Sequence, residues 1–154
     1  MDYNLHTHTY FCNHTTGERP EEYIKTAIAN GVKFMGFSEH FPYDFSDNSR
    51  SDYRMSVKDV GRYFSEISDL REKYKDKIEI KIGFEMEYYE EIFPDMLKKA
   101  REYGAEYLIL GQHFVFPEED KTSLHVAKPV GDAEFLVEYA DSVIRRLKQV
   151  FSPT

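Results

Sequence analysis

Six histidines are spread through the chain, and five of them stand where imidazoles could gather. His6 and His8 lie in Asn4-Leu5-His6-Thr7-His8-Thr9. Two residues apart on an extended segment, their side chains point to one side, where two ring nitrogens can chelate one cation. His14 follows on the next loop. His40 closes Phe37-Ser38-Glu39-His40, His113 closes Leu110-Gly111-Gln112-His113, and Glu85 and Glu87 stand in Gly83-Phe84-Glu85-Met86-Glu87. Three to six nitrogen and oxygen ligands suit zinc, manganese or iron, and a carboxylate such as Glu85 can bridge two ions with its two oxygens. Cys12 is the sole cysteine, so no thiolate cluster competes and no intramolecular disulfide forms.

Taken singly, each residue has a plainer role. His40 beside Glu39 could cap a strand end, and Glu85 could be one solvated acid in a stretch with Glu87, Glu90 and Glu91. His125 lies in a polar loop, Lys121–Lys128, and reads as a surface residue. Cys12 has no activating base in its immediate sequence and reads as a small buried side chain. Arg54, in Ser51-Asp52-Tyr53-Arg54-Met55-Ser56, could grip a phosphate bidentately or be a solvated arginine.

The elements that must position these residues follow from hydrophobic spacing. Asp2–Leu5, Phe34–Phe37, Ile78–Ile82 and Tyr107–Leu110 read as strands. Arg19–Asn30, Ser56–Tyr74, Glu91–Tyr103 and Asp132–Val150 read as helices, the last with Asp132 as N-cap and Phe135, Tyr139, Val143 and Leu147 on one face. Pro20 near a first turn and Gly31 and Gly104 just past helix ends punctuate the pattern. Strand–helix alternation, four times, implies a parallel sheet with helical crossovers, an α/β fold. In such folds the carboxyl ends of the strands open on one face, where sites are built. The four clusters each follow a strand, so they converge there.

The 154 residues fit one domain, 1–154. Four βα units are too few to close an eight-stranded barrel of about 250 residues. Net charge is −8, which argues against broad binding to nucleic acid or an anionic membrane. No apolar run of about 18 residues or more exists to cross a bilayer, and no secretory signal precedes the first strand. Cytoplasmic placement is the expectation.

Together, His6-Thr7-His8-Thr9, Phe11-Cys12-Asn13-His14, Phe37-Ser38-Glu39-His40, Tyr53-Arg54-Met55-Ser56, Ile82-Gly83-Phe84-Glu85-Met86-Glu87-Tyr88 and Ile109-Leu110-Gly111-Gln112-His113-Phe114 resemble the polymerase-and-histidinol-phosphatase (PHP) superfamily, and within it the histidinol-phosphate phosphatases. The resemblance runs from the start to about Phe114. It implies a distorted seven-stranded (β/α)-barrel carrying up to three divalent ions. His6 and His8 would bind the first ion, Glu85 would bridge the first and second, His113 would bind the second, and His14 and His40 the third. A metal-bound hydroxide would be the nucleophile on a small phosphorylated substrate, L-histidinol phosphate, in histidine biosynthesis. Arg54 would be a substrate-loop residue.

The sequence departs from that pattern in length. The family's later strands supply a further histidine and a closing Asp-x-His motif, and neither is seen here. The resemblance therefore implies an incomplete PHP-type barrel of about four βα units. An uncovered apolar inner face would favour a homo-oligomer. A non-catalytic metal-binding or interaction module is the competing reading. Amidohydrolases also place His-x-His after the first barrel strand, but the Ser-Glu-His and Gly-Phe-Glu contexts fit the phosphatase better.

Overall fold

The structure, a computed structural model, describes residues 2–42 and 53–114, together with helical residues 137, 139–141, 143–145 and 147–148. The expected order of strands and helices is present. Strand β1 is Tyr3–Asn4, helix α1 Pro20–Ala29, strand β2 Phe34–His40, helix α2 Val60–Tyr74, strand β3 Glu79–Met86, helix α3 Phe93–Tyr103 and strand β4 Tyr107–Leu110. The four strands are parallel in the order β1-β2-β3-β4 and form a half-barrel sheet. Helical residues are present within the expected fourth helix, whereas Asp132 and Phe135 lie outside the described residues. Among the described residues no helix is long and apolar enough to cross a membrane.

The helix ends follow local chemistry. Pro20 opens α1, where its missing N–H costs nothing. Ser56 does not begin α2 directly. Its hydroxyl accepts from the Lys58 N–H and caps a 3-10 turn, Val57–Asp59, that leads into the helix. α3 starts at Phe93, two residues later than the expected Glu91, with Pro94 in its first turn. Gly104 closes α3 at φ 90°, a left-handed C-cap that a side chain would oppose.

The middle strands outrun their expected ends at Phe37 and Ile82. β2 continues through Ser38, Glu39 and His40, and β3 through Glu85 and Met86. Their polar residues hid this, because a strand buried on both faces carries no alternating pattern. The site residues therefore sit on the strand ends themselves, with His40 paired in register to Glu85.

The two faces of the sheet differ. Met35, Phe37, Ile80, Ile82, Phe84 and Met86 face the helices and pack with Ile24, Val60, Tyr63, Ile67, Met96 and Ala100 in one core. Tyr63 is fully buried, and its hydroxyl lies 2.9 Å from the carbonyls of both Phe37 and Gly83, tying α2 to two strands. On the opposite, inner face the ring of Tyr107 lies across β3 and β2, and its hydroxyl donates to the Leu5 carbonyl at 2.8 Å. Glycines make that path possible. A Cβ at Gly83 would run into the Tyr107 backbone oxygen and ring, and one at Gly36 into the Tyr107 hydroxyl. Around this ring the inner face carries Gly36, Ser38, Gly83 and Glu85, so it is less apolar than expected.

Candidate metal centre

Beyond β1 the chain stays extended and is held to β2. Ser38 N–H donates to the Thr7 carbonyl at 3.0 Å, and Thr7 N–H to the Ser38 hydroxyl at 3.3 Å. Thr7 is thereby pinned against the sheet, and His6 and His8 on either side of it turn the same way. Their Nε2 atoms lie 3.0 Å apart.

Both face Glu85. Glu85 Oε2 is 3.1 Å from His6 Nε2, 3.0 Å from His8 Nε2 and 3.3 Å from His40 Nδ1. The other oxygen, Oε1, is 3.5 Å from His113 Nε2. Glu85 is 2% exposed, and a Cβ at Gly111 would collide with its carboxylate, so the packing of this side chain depends on a bare backbone at that position. His14 reaches the cluster from the β1–α1 loop. Its ring stands 5.1 Å from that of His8 and 4.9 Å from that of His40, and its Nδ1 is 3.3 Å from the Tyr53 carbonyl.

Among the described residues, four overlapping groups result: His6–His8–Glu85, His40–Glu85–His113, His8–His14–His40 and, behind His8, His8–Cys12–Glu39. The donor chemistry fits divalent cations. Two imidazole nitrogens facing each other at 3.0 Å cannot both present lone pairs without a proton or cation between them. Nitrogens about 2.0–2.1 Å from a tetrahedral zinc ion are separated by roughly 3.3 Å, close to that spacing. Charge agrees. Burial alone would raise the Glu85 carboxyl, but the His8 hydrogen bond and the surrounding imidazoles outweigh it and hold it at about 2. Burial lowers His40 to about 3 and also lowers His14, leaving both rings neutral. Metal binding needs an ionised carboxylate and neutral imidazoles; the hydrogen bond to Glu87 instead raises His113.

A further set of buried residues stands behind these. Glu39 is fully buried; its Oε1 accepts from the Thr9 backbone N–H at 2.8 Å and the Thr9 hydroxyl at 2.6 Å, while Oε2 lies 3.8 Å from His8 Nδ1. Burial raises its pKa, a cost only partly offset by Cys12, Thr9 and His8. Glu87 is 2% exposed. Its Oε1 accepts from the His113 backbone N–H at 2.8 Å and lies 3.2 Å from His113 Nδ1. Its Oε2 pairs with Arg54 at 2.7 Å and accepts from the Tyr89 hydroxyl. Burial again raises this carboxyl, but His113, Arg54 and Tyr89 bring it below its usual range.

All six sequence-derived ligands, His6, His8, His14, His40, Glu85 and His113, thus meet at the carboxyl end of the sheet. Arg54 is 4% exposed; its guanidinium bonds Glu87 and the Phe41 carbonyl, and it lines a cavity of about 210 Å³ with His14, His40, Tyr53, Glu87, His113 and Phe114. Cys12 is buried as expected, accepts the His40 backbone N–H at 3.2 Å, and is further insulated by a pKa that burial pushes upward. His125 lies outside the described residues. Sequence reasoning placed Glu39 and Glu87 in the right segments but gave them no role. The available signal was an acid at the helix-facing register of a strand, following Met35 and Phe37.

Comparison with known proteins matches this geometry. The PHP domain model fits residues 4–152. The chain is 32% identical over 116 residues to a Bacillus subtilis histidinol-phosphatase, covering 71% of this chain and 43% of that one. It is 35% identical over 86 residues to a Lactococcus lactis histidinol-phosphatase, covering 56% and 29%. Among solved structures, one assigned as a Listeria monocytogenes histidinol phosphatase superimposes with TM-score 0.64 at 28% identity, covering 73% of this chain and 45% of that one. The Lactococcus lactis histidinol phosphate phosphatase complexed with zinc, L-histidinol and phosphate gives TM-score 0.57 at 28% identity, covering 73% and 39%. The chain spans less than half the length of these relatives. On its family match the chain belongs to the PHP domain family, and the relatives it resembles there are histidinol-phosphatases.

Proposed function

We propose that this chain is a metal-dependent phosphomonoesterase that hydrolyses L-histidinol phosphate to L-histidinol and phosphate, a step of histidine biosynthesis in the cytoplasm. The observation that carries the reading is Glu85, with four imidazoles within 3.5 Å of its two oxygens, beside a cavity that His14, His40 and His113 also line. In this reading His6 and His8 hold one ion, Glu85 bridges it to a second held by His113, and His14 and His40 hold a third. Zinc, manganese or iron bound there would supply positive charge for the phosphoryl oxygens and lower the pKa of water. The chain's own part is to fix those ions and to shape the cavity. Arg54 adds a positive charge at the cavity wall, shared with Glu87.

The test is phosphate release from L-histidinol phosphate by metal-free protein supplied in turn with zinc, manganese and iron. Turnover lost in His8→Ala and Glu85→Gln supports the reading, and no release with any of the three metals overturns it. A second reading, a metal-binding module without turnover, predicts bound metal by elemental analysis and no release. We also propose self-association of the half-barrel through a second copy, supported by the apolar exposure of Tyr3 (63%) and Leu108 (37%) on the outer strands and of Leu5 (37%) just beyond β1.

A further inference from the structure

Among the described residues, two of the imidazoles facing Glu85 share a feature. His8 and His113 each present Nε2 to Glu85, and each has a buried carboxylate on the opposite, Nδ1 side. Behind His113 the contact is made: Glu87 Oε1 is 3.2 Å from Nδ1 and accepts the same residue's backbone N–H at 2.8 Å, so ring and backbone are gripped by one oxygen. Behind His8 the contact is poised: His8 Nδ1 and Glu39 Oε2 are 3.8 Å apart, both buried and both without a hydrogen-bond partner. A buried carboxylate oxygen and a buried ring nitrogen left without a hydrogen bond are each costly alone. Closing about 1 Å satisfies both.

We infer that Glu39 and Glu87 are positioning residues that receive the Nδ1 protons of His8 and His113, fixing both rings in the tautomer whose Nε2 lone pair faces the metal centre. This rests on the metal-centre reading above. Both carboxylates are themselves anchored, Glu39 by the backbone and hydroxyl of Thr9, Glu87 by Arg54 and Tyr89. Each is thereby oriented before any ion arrives. An acid that binds the far nitrogen of a ligating histidine also raises the basicity of the near one, and removing such a partner costs about 10–100-fold in metal affinity. The two devices differ in charge. Glu87 is balanced by the Arg54 guanidinium, whereas Glu39 accepts from the neutral backbone and hydroxyl of Thr9. Glu39 is therefore the stronger electrostatic partner for an ion held through His8.

The experiment has two arms on the full chain. In metal-free wild type carrying 15N-labelled histidine, long-range proton–nitrogen spectra above the imidazole titration range should show His113 protonated at Nδ1, and zinc should bring His8, whose Nε2 lies 3.0 Å from the Glu85 carboxylate, to the same tautomer. Protonation of His113 at Nε2, or of His8 at Nε2 with zinc bound, overturns the inference without any variant having to fold. In the second arm, Glu39→Gln, Glu39→Leu, Glu87→Gln and Glu87→Met are titrated with zinc against a chromophoric chelator. Leu and Met should weaken zinc binding by about 10–100-fold and release the tautomer, with Gln, which keeps a neutral acceptor, falling between them and wild type. Unchanged affinity in folded Leu and Met variants overturns the inference. Absence of zinc binding by wild type would count against the metal centre instead, and the His113 tautomer would still decide the positioning claim.

Discussion

The Tyr107 hydroxyl donates to the Leu5 carbonyl at 2.8 Å, so the fourth strand is tied to the segment leaving the first across the two strands between them. Leu5 directly precedes His6, and Tyr107 begins the strand that leads to His113. One side chain therefore spans the floor beneath the metal centre. Tyr107→Phe should lower stability by about 1 kcal/mol, the worth of one hydrogen bond, read by urea denaturation. Gly83→Ala should cost more, roughly 1–3 kcal/mol, because the added methyl meets backbone as well as ring. Equal stabilities for all three proteins would remove this tie from the account.

Alkaline pH should act through the same residue. Burial raises the phenols of both Tyr107 and Tyr63 above the usual tyrosine value. A group whose folded pKa exceeds its unfolded value stabilises fully below the unfolded value, about 10 for tyrosine, and loses that contribution as pH climbs toward the folded one. Stability should therefore decline above about pH 10. Tyr107→Phe should show a shallower decline in denaturant midpoints measured across that range, and a decline of equal slope would contradict the assignment.

Gly111 should be as sensitive as a ligand although it binds nothing. Gly111→Ala places a methyl where the Glu85 carboxylate lies. Zinc affinity is expected to fall by about tenfold or more, equivalent to roughly 1.4 kcal/mol per factor of ten, with far-UV circular dichroism preserved. Calorimetric titration showing wild-type affinity would mean that Glu85 is not held against Gly111 in solution.

Metal should also stabilise the fold. A ligand that binds only the native state at 100 times its dissociation constant adds about 2.7 kcal/mol. Zinc or manganese should raise the thermal midpoint of chelator-treated protein, and renewed chelation should reverse the rise. A midpoint indifferent to both metals and to chelator would speak against the centre.

Self-association should be visible by light scattering at micromolar concentration. Leu5→Lys with Leu108→Lys, placing charge just beyond β1 and on β4, should shift the population toward monomer. A wild-type protein that is already monomeric at that concentration would end this proposal.

Much of the site was written in the sequence. The two-residue spacing of His6 and His8 set them on one side of an extended chain, and the strand–helix alternation required His40, Glu85 and His113 to meet them at one sheet end. The type and order of the elements were legible for the same reason: helix faces and capping residues are local patterns. The ends of β2 and β3 were not, since Ser38, Glu39, His40 and Glu85 break an apolar run while being buried as part of the strand. The roles of Glu39 and Glu87 were hidden too. An acid beside a histidine in sequence does not say which ring nitrogen, of which histidine, it will face.

The residue types and spacing of this chain thus determined which side chains could bind metal and that they would share one end of a parallel sheet. Only the tertiary structure decided that Glu85 sits at their centre, that Glu39 and Glu87 stand behind His8 and His113, and that Arg54 is paired with Glu87. The physical reason is that ligand choice is a property of the side chain, whereas orientation, burial and pairing arise from packing between residues as far apart in sequence as Leu5 and Tyr107.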